Sequence, residues 1–159
     1  MENYSVFDII GPRMTGPSSS HTAGAVRLAH VARHIAGMRV VCAELTLFGS
    51  FAETGKGHGT DKALIAGVLG MKEDDARIRD AYRIAREEGV EVSVRYSDLP
   101  CAHPNTARIV VTNDKGEVTD VVGQSVGGGN IRIVEINGLD VELTGDYPTL
   151  IIQHTDEPG

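Results

Sequence analysis

The spacing of the apolar residues gives way to strand alternation alone beyond Gly89, and that change limits the fold more than any other feature. Ahead of Gly89 they recur mostly three or four apart, the period of a helix face; beyond it they alternate, the period of a half-buried strand. On the far side EVSVRYS (91–97), TARIVVTND (106–114), EVTDVVGQSV (117–126), NIRIVEING (130–138) and LDVELTG (139–145) each read as strands. Asn113-Asp114-Lys115-Gly116 and Asn137-Gly138 supply hairpin turns. On the near side SVFDIIG is a short apolar segment and PRMTGPSS a loop. Val26, Ala29 and Ala32, flanked by Leu28, Val31 and Ile35, form a stripe that predicts a helix over 20–36, with Gly37 as its cap. RVVCAELTLFGS (39–50) predicts a strand, FAETGKGHGT (51–60) a glycine-rich loop, and 61–69 a helix with Leu64, Ile65 and Val68 inward. Asp74 and Asp75 open a third helix in which Ile78, Tyr82 and Ala85 face the core and Gly89 ends it. Helices early and hairpins late predict an α+β fold, helices packed on a mainly antiparallel sheet.

With three Phe, four Tyr and no Trp, the core has to be built from Val, Ile, Leu and Ala. The 159 residues suit one domain with part of a second. Tyr147-Pro148 breaks the last strand, and TLIIQHTDEPG begins another strand and turn. The expected division is therefore a domain over 1–146 and a linker with a first strand over 147–159, as though the chain were truncated. A net charge of −7 with no basic cluster argues against nucleic acid as the main partner. No apolar run reaches the roughly 20 residues of a membrane span, and MENYSVFDII lacks the segments of a signal peptide. Cys42 and Cys101 form no CxxC pair and read as free thiols of a cytoplasmic protein. Two thiolates do not complete an iron–sulfur site, which takes three or four protein ligands.

Three stretches carry candidate chemistry. In GPSSSHTAG (16–24), Ser18, Ser19 or Ser20 suits a helix cap, and one cap needs one hydroxyl. The surplus, with His21, Thr22 and the free amides of a helix start, suits a small carboxylate. In GKGHGTD (55–61) alternating glycines permit close backbone approach at Gly57 and Gly59, and His58 stands between them as a candidate base, although a flexible loop with an incidental histidine has the same composition. The spacing does not fit a Walker A loop, which requires GxxxxGK followed by Ser or Thr. CAHPNT (101–106) alone is a turn: Pro104 holds His103 extended, and Asn105 both donates and accepts. SVGGGN reads as a bulge or a close strand approach, and His30 and His34, beside Arg27 and Arg33, as a solvated helix face.

Taken in order, GPSSSHTAG, FGSFAETGKGHGTD and CAHPNT closely resemble the β chain, or β domain, of bacterial iron–sulfur-dependent L-serine dehydratases. The tail resembles the first strand of the ACT module that ends many such chains. The resemblance implies conversion of L-serine to pyruvate and ammonia. It implies a 4Fe–4S cluster whose cysteine ligands lie on an α chain or domain absent from this sequence, with none from this chain. In such enzymes the histidine matching His58 is taken as the base for the α-proton, that matching Thr60 orients backbone and substrate, and those matching His103 and Asn105 are essential. Contacts from Ser18, Ser19, Ser20, His21 and Thr22 to the substrate carboxylate are our own inference from helix-terminus physics. The expected partners are L-serine (or a related hydroxy-amino acid such as L-threonine) and the cluster-bearing α chain, within a homo- or hetero-oligomer. The same fold type also serves as a substrate-binding regulatory domain in some phosphoglycerate dehydrogenases, which leaves a non-catalytic serine sensor as the alternative.

Overall fold

A computed structural model describes residues 11–37 and 39–152. Six strands form one sheet in the order β2-β1-β3-β4-β5-β6. They are β1 (Val40–Gly49), β2 (Glu91–Ser97), β3 (Asn105–Asn113), β4 (Val118–Gly127), β5 (Asn130–Ile136) and β6 (Leu139–Leu143). β2 lies parallel to β1, and the other neighbours are antiparallel. The connections account for the difference: tight turns join the late strands, whereas β1 reaches β2 through a helical crossover. In the β5–β6 turn Asn137 (φ 51°) and Gly138 (φ 79°) both adopt the positive φ that a two-residue hairpin demands.

The helices are α1 (Ala25–Ile35), led by a π turn over Ser19–Gly24, then α2 (Ser50–His58), α3 (Thr60–Val68) and α4 (Ala81–Glu87), led by a 3₁₀ turn over Ala76–Asp80. They cover one face of the sheet. Ala43, Leu45 and Leu47 of β1, Ala107, Ile109 and Val111 of β3, Val121 of β4 and Ile133 of β5 are buried beneath Val26, Leu28, Ala29 and Ala32 of α1 and Leu64, Ile65 and Val68 of α3. The opposite face alternates out to charge, where Arg108 pairs with Asp120 at 2.6 Å and Arg95 with Glu44 at 3.6 Å. Phe51 is the largest fully buried side chain, and the rest of the core is aliphatic, as the composition requires.

Four expectations are corrected. Residues 51–60 are no loop: most of them belong to α2, held as a helix by burial of Phe51 and by contacts to its first turn described below. The third helix is split, because Asp75 accepts from the amide of Arg77 at 2.9 Å and starts a 3₁₀ turn before α4 begins. Tyr82 is 39% exposed instead of core-facing. The α4 face that packs inward is Ala81, Ile84 and Ala85, and the Tyr82 hydroxyl donates to Asp61 at 2.9 Å. Finally, residues 144–152 form no strand or helix, so the strand expected from residue 149 is not formed up to 152. Its remainder, 153–159, and nearly all of the apolar segment SVFDIIG lie outside the described residues. Among the described residues no helix is long and apolar enough to cross a membrane.

Candidate active site

The serine-rich stretch starts α1 as a capped turn. Ser18 is extended (φ −141°, ψ 127°), and its hydroxyl accepts from the amide of His21 at 3.2 Å. The next residues coil as a π turn, a local form that recurs at functional sites. Ser19 and Ser20 stay half-buried, whereas Thr22 is 2% exposed and packs inward.

The turn aims His21 at α2. Its Nε2 lies 3.0 Å from Thr54 Oγ1, 3.3 Å from Ser50 Oγ and 3.4 Å from the Ser50 carbonyl oxygen. Its Nδ1 lies 3.5 Å from Ser18 Oγ. The ring stands edge-on to Phe51, centroids 5.1 Å apart, and 5.1 Å from the ring of His58 at a tilt of 51°. Burial holds the imidazole below its ordinary value; the Ser50 carbonyl opposes this, and His58 adds to it. Both ring nitrogens of His21, expected to contact a carboxylate, are thus engaged within the chain.

α2 starts at the end of β1 through Gly49, whose φ of 52° and ψ of −129° suit only glycine. A Cβ there would lie 2.7 Å from the carbonyl oxygen of Pro104, so the 103–105 loop packs directly on this corner. The amide of Phe51 donates to the same carbonyl at 3.3 Å, and Gly49 pairs with Asn105 across β1 and β3. Within the loop, the Asn105 amide donates to His103 Nδ1 at 3.1 Å, which leaves Nε2 to carry the proton of the neutral ring. Asn105 Nδ2 reaches the Ser125 carbonyl at 3.4 Å, and Cys101 Sγ donates to the His103 carbonyl at 3.1 Å.

At the other end, α2 closes on Gly59 (φ 70°), and α3 begins at the next residue. His58 is the exposed last residue of α2, and a Cβ at Gly57 or Gly59 would meet nothing within 4 Å. Thr60 lies beneath, 0% exposed, against Gly55. The fold therefore joins the three motifs at one end of the sheet: His21 and His58 meet ring to ring, and the 103–105 loop packs on the start of the helix they share. Ser50 and Thr54, which fix His21, were not singled out from the sequence. Their helical spacing of four is the available signal, masked because Ser50 falls in the predicted strand 39–50 and Thr54 in the predicted loop 51–60.

A cavity of about 250 Å³ adjoins the start of α2, lined in part by Gly49, Glu53, Asp98 and Cys101. A larger one, about 720 Å³, is lined by Val31, Ile35, Ile133, Leu143 and the segment around Tyr147, away from all three motifs. Among the described residues no group of three or more His, Cys, Asp or Glu side chains could hold a metal ion, and both cysteines are free. This donor set does not fit a 4Fe–4S cluster.

The family described as the serine dehydratase beta chain matches residues 5–97. The chain belongs to that family. It is 47% identical over 159 residues to the probable L-serine dehydratase, beta chain, of Bacillus subtilis (strain 168), covering 100% of this chain and 72% of that one. It is 43% identical over 160 residues, with the same coverage, to the L-serine dehydratase, beta chain, of Peptoniphilus asaccharolyticus. A shorter match, 32% identical over 102 residues, links this member of the serine dehydratase β-chain family to the D-3-phosphoglycerate dehydrogenase of Bacillus subtilis (strain 168), over 62% of this chain and 19% of that one. The two β-chain matches run along the whole of this chain, whereas the family match ends at residue 97, ahead of the 103–105 loop.

Proposed function

We propose that this chain is the β component of an iron–sulfur-dependent L-serine dehydratase (an L-serine ammonia-lyase) and supplies the base that removes the α-proton of L-serine. The observation that supports the reading is the meeting of His21 and His58, rings 5.1 Å apart, at the sheet end where the 103–105 loop also packs. His58 is exposed at a helix end with open space beside Gly57 and Gly59, room in which an amino acid can approach the imidazole. A neutral ring nitrogen within about 3 Å of the substrate carbon takes its proton.

As that proton leaves, negative charge builds on the substrate carboxylate, and donors already aimed there lower the barrier by roughly 3 kcal/mol each. Ser19 and Ser20, half-buried at the positive end of α1, suit that task. Ser18 holds the turn and Thr22 packs under it, so both act through the backbone. His103, with Nδ1 filled by the Asn105 amide, presents Nε2–H as a further donor. Thr60 supports the turn that carries His58 from below. The 4Fe–4S cluster and its cysteines belong in this reading to an α component, so the chain alone is inactive. Residues 1–146 form the dehydratase β domain, and 147–159 lead into an ACT module.

Anaerobic reconstitution with cluster-bearing α components tests the proposal, with pyruvate assayed from L-serine and 2-oxobutanoate from L-threonine. Pyruvate formed only on mixing supports it. The match to a phosphoglycerate dehydrogenase favours a second reading, a serine-binding regulatory module. That reading gains if every α component fails and the chain alone binds L-serine saturably.

A further inference from the structure

We propose that His21 is a positioning residue that fixes the direction of the His58 imidazole and does not itself bind substrate; the inference rests on the reading of His58 as the base. The hydroxyl of Thr54 has one proton and gives it to the Ser50 carbonyl at 2.8 Å. Facing His21 Nε2 at 3.0 Å, that hydroxyl can therefore only accept, which puts the ring proton on Nε2. The Ser50 carbonyl at 3.4 Å is a second acceptor for the same N–H. Nδ1, left with its lone pair, faces the Ser18 hydroxyl, which also accepts the amide of His21. Both nitrogens are spent inside the chain, and nothing is left on this ring for a carboxylate.

The ring instead links the two ends of α2. Hydrogen bonds hold it to Ser50 and Thr54 of the first turns, Phe51 backs it, and its remaining face lies against His58 on the last turn. α2 itself is poorly suited to hold a base still, since Gly49 and Gly59 flank it with positive φ and Gly55 and Gly57 lie within it. A ring anchored from outside the helix supplies the missing rigidity. Burial lowers the pKa of His21, which favours the neutral ring that this donor pattern requires.

The test uses the enzyme reconstituted with its α component and compares His21→Phe, His21→Gln, Thr54→Val and His58→Gln, singly and with each change combined with His58→Gln. His21→Gln, whose amide nitrogen reaches where Nε2 stood, is expected to keep kcat within about threefold of the parent. His21→Phe keeps the ring and loses its anchors, so kcat falls about 100-fold with KM for L-serine nearly unchanged, the scale of loss from an ångström of misplacement. Thr54→Val, at an exposed position, removes the acceptor without disturbing the core and lowers kcat about tenfold, which keeps the test open if His21→Phe fails to fold. Neither change lowers the residual rate further once His58 is Gln, because both act through it. A raised KM with kcat retained, or losses that multiply in the His58→Gln background, overturns the inference while leaving the base reading intact. Near-normal turnover by His58→Gln overturns the base reading and this inference together.

Discussion

Gly49 joins β1 to α2 at a backbone conformation closed to other residues, with the Pro104 carbonyl where a side chain would begin. Gly49→Ala is expected to cost about 3 kcal/mol, from a disfavoured φ and from a clash with backbone that cannot swing aside. The check is a lower urea midpoint at unchanged slope, together with lost turnover in the reconstituted enzyme, because the 103–105 loop and the start of α2 separate. At this scale the sequence was most informative about chemistry. The hydroxyl cluster with His21, the histidine between glycines and the His103–Asn105 pair were all visible as residue types in context. The partners of those side chains were not. The bonds from His21 to Ser50 and Thr54 span 29 and 33 positions and depend on a helix that composition argued against.

That helix is the instructive element. Each glycine inside a helix costs about 1 kcal/mol relative to alanine, so the run GKGHG predicts a loop. Burial of Phe51, packing of Gly55 on Leu47 and Thr60, and the bonds from His21 outweigh that local preference. Gly57 is helical with empty space where its Cβ would stand. Gly57→Ala should therefore stabilise the fold by about 0.5–1 kcal/mol and, by narrowing the approach to His58, raise KM for L-serine. Opposite signs in a thermal melt and a kinetic assay are the signature. Gly59→Ala should lose about 1 kcal/mol from its positive φ alone, since no atom stands in the way. The strands were easier to place. EVSVRYS matches β2 residue for residue, and β3 to β6 end within two residues of the predicted bounds, because alternation reports burial on one face directly.

Across the whole molecule, apolar periodicity alone sets no order for the strands. That β1 lies inside the sheet, with β2 parallel at its edge, follows from the helical crossover and from which apolar faces have to meet. This order is also what gathers the site, since β1 ends and β3 begins at the same end of the sheet. The fold carries a pH dependence as well. Burial is the main cause that holds both His21 and His30 below the ordinary 6.5; His34, Arg33 and Lys72 add to it for His30, and Glu73 opposes. The unfolded chain takes up protons at these positions as pH falls past about 6.5, while the folded chain does so only lower. Stability is therefore fully present above that value and declines as pH drops towards the folded values. Urea midpoints should be lower at about pH 5.5 than at about pH 7.5, and His30→Gln should flatten the difference. The central claim, that this chain contributes the base, is tested most directly by His58→Gln assembled with the α component and assayed for pyruvate from L-serine. A fall in kcat of about 10³-fold, within the range general-base catalysis supplies, is the expected result; turnover within a few fold of the parent would contradict it.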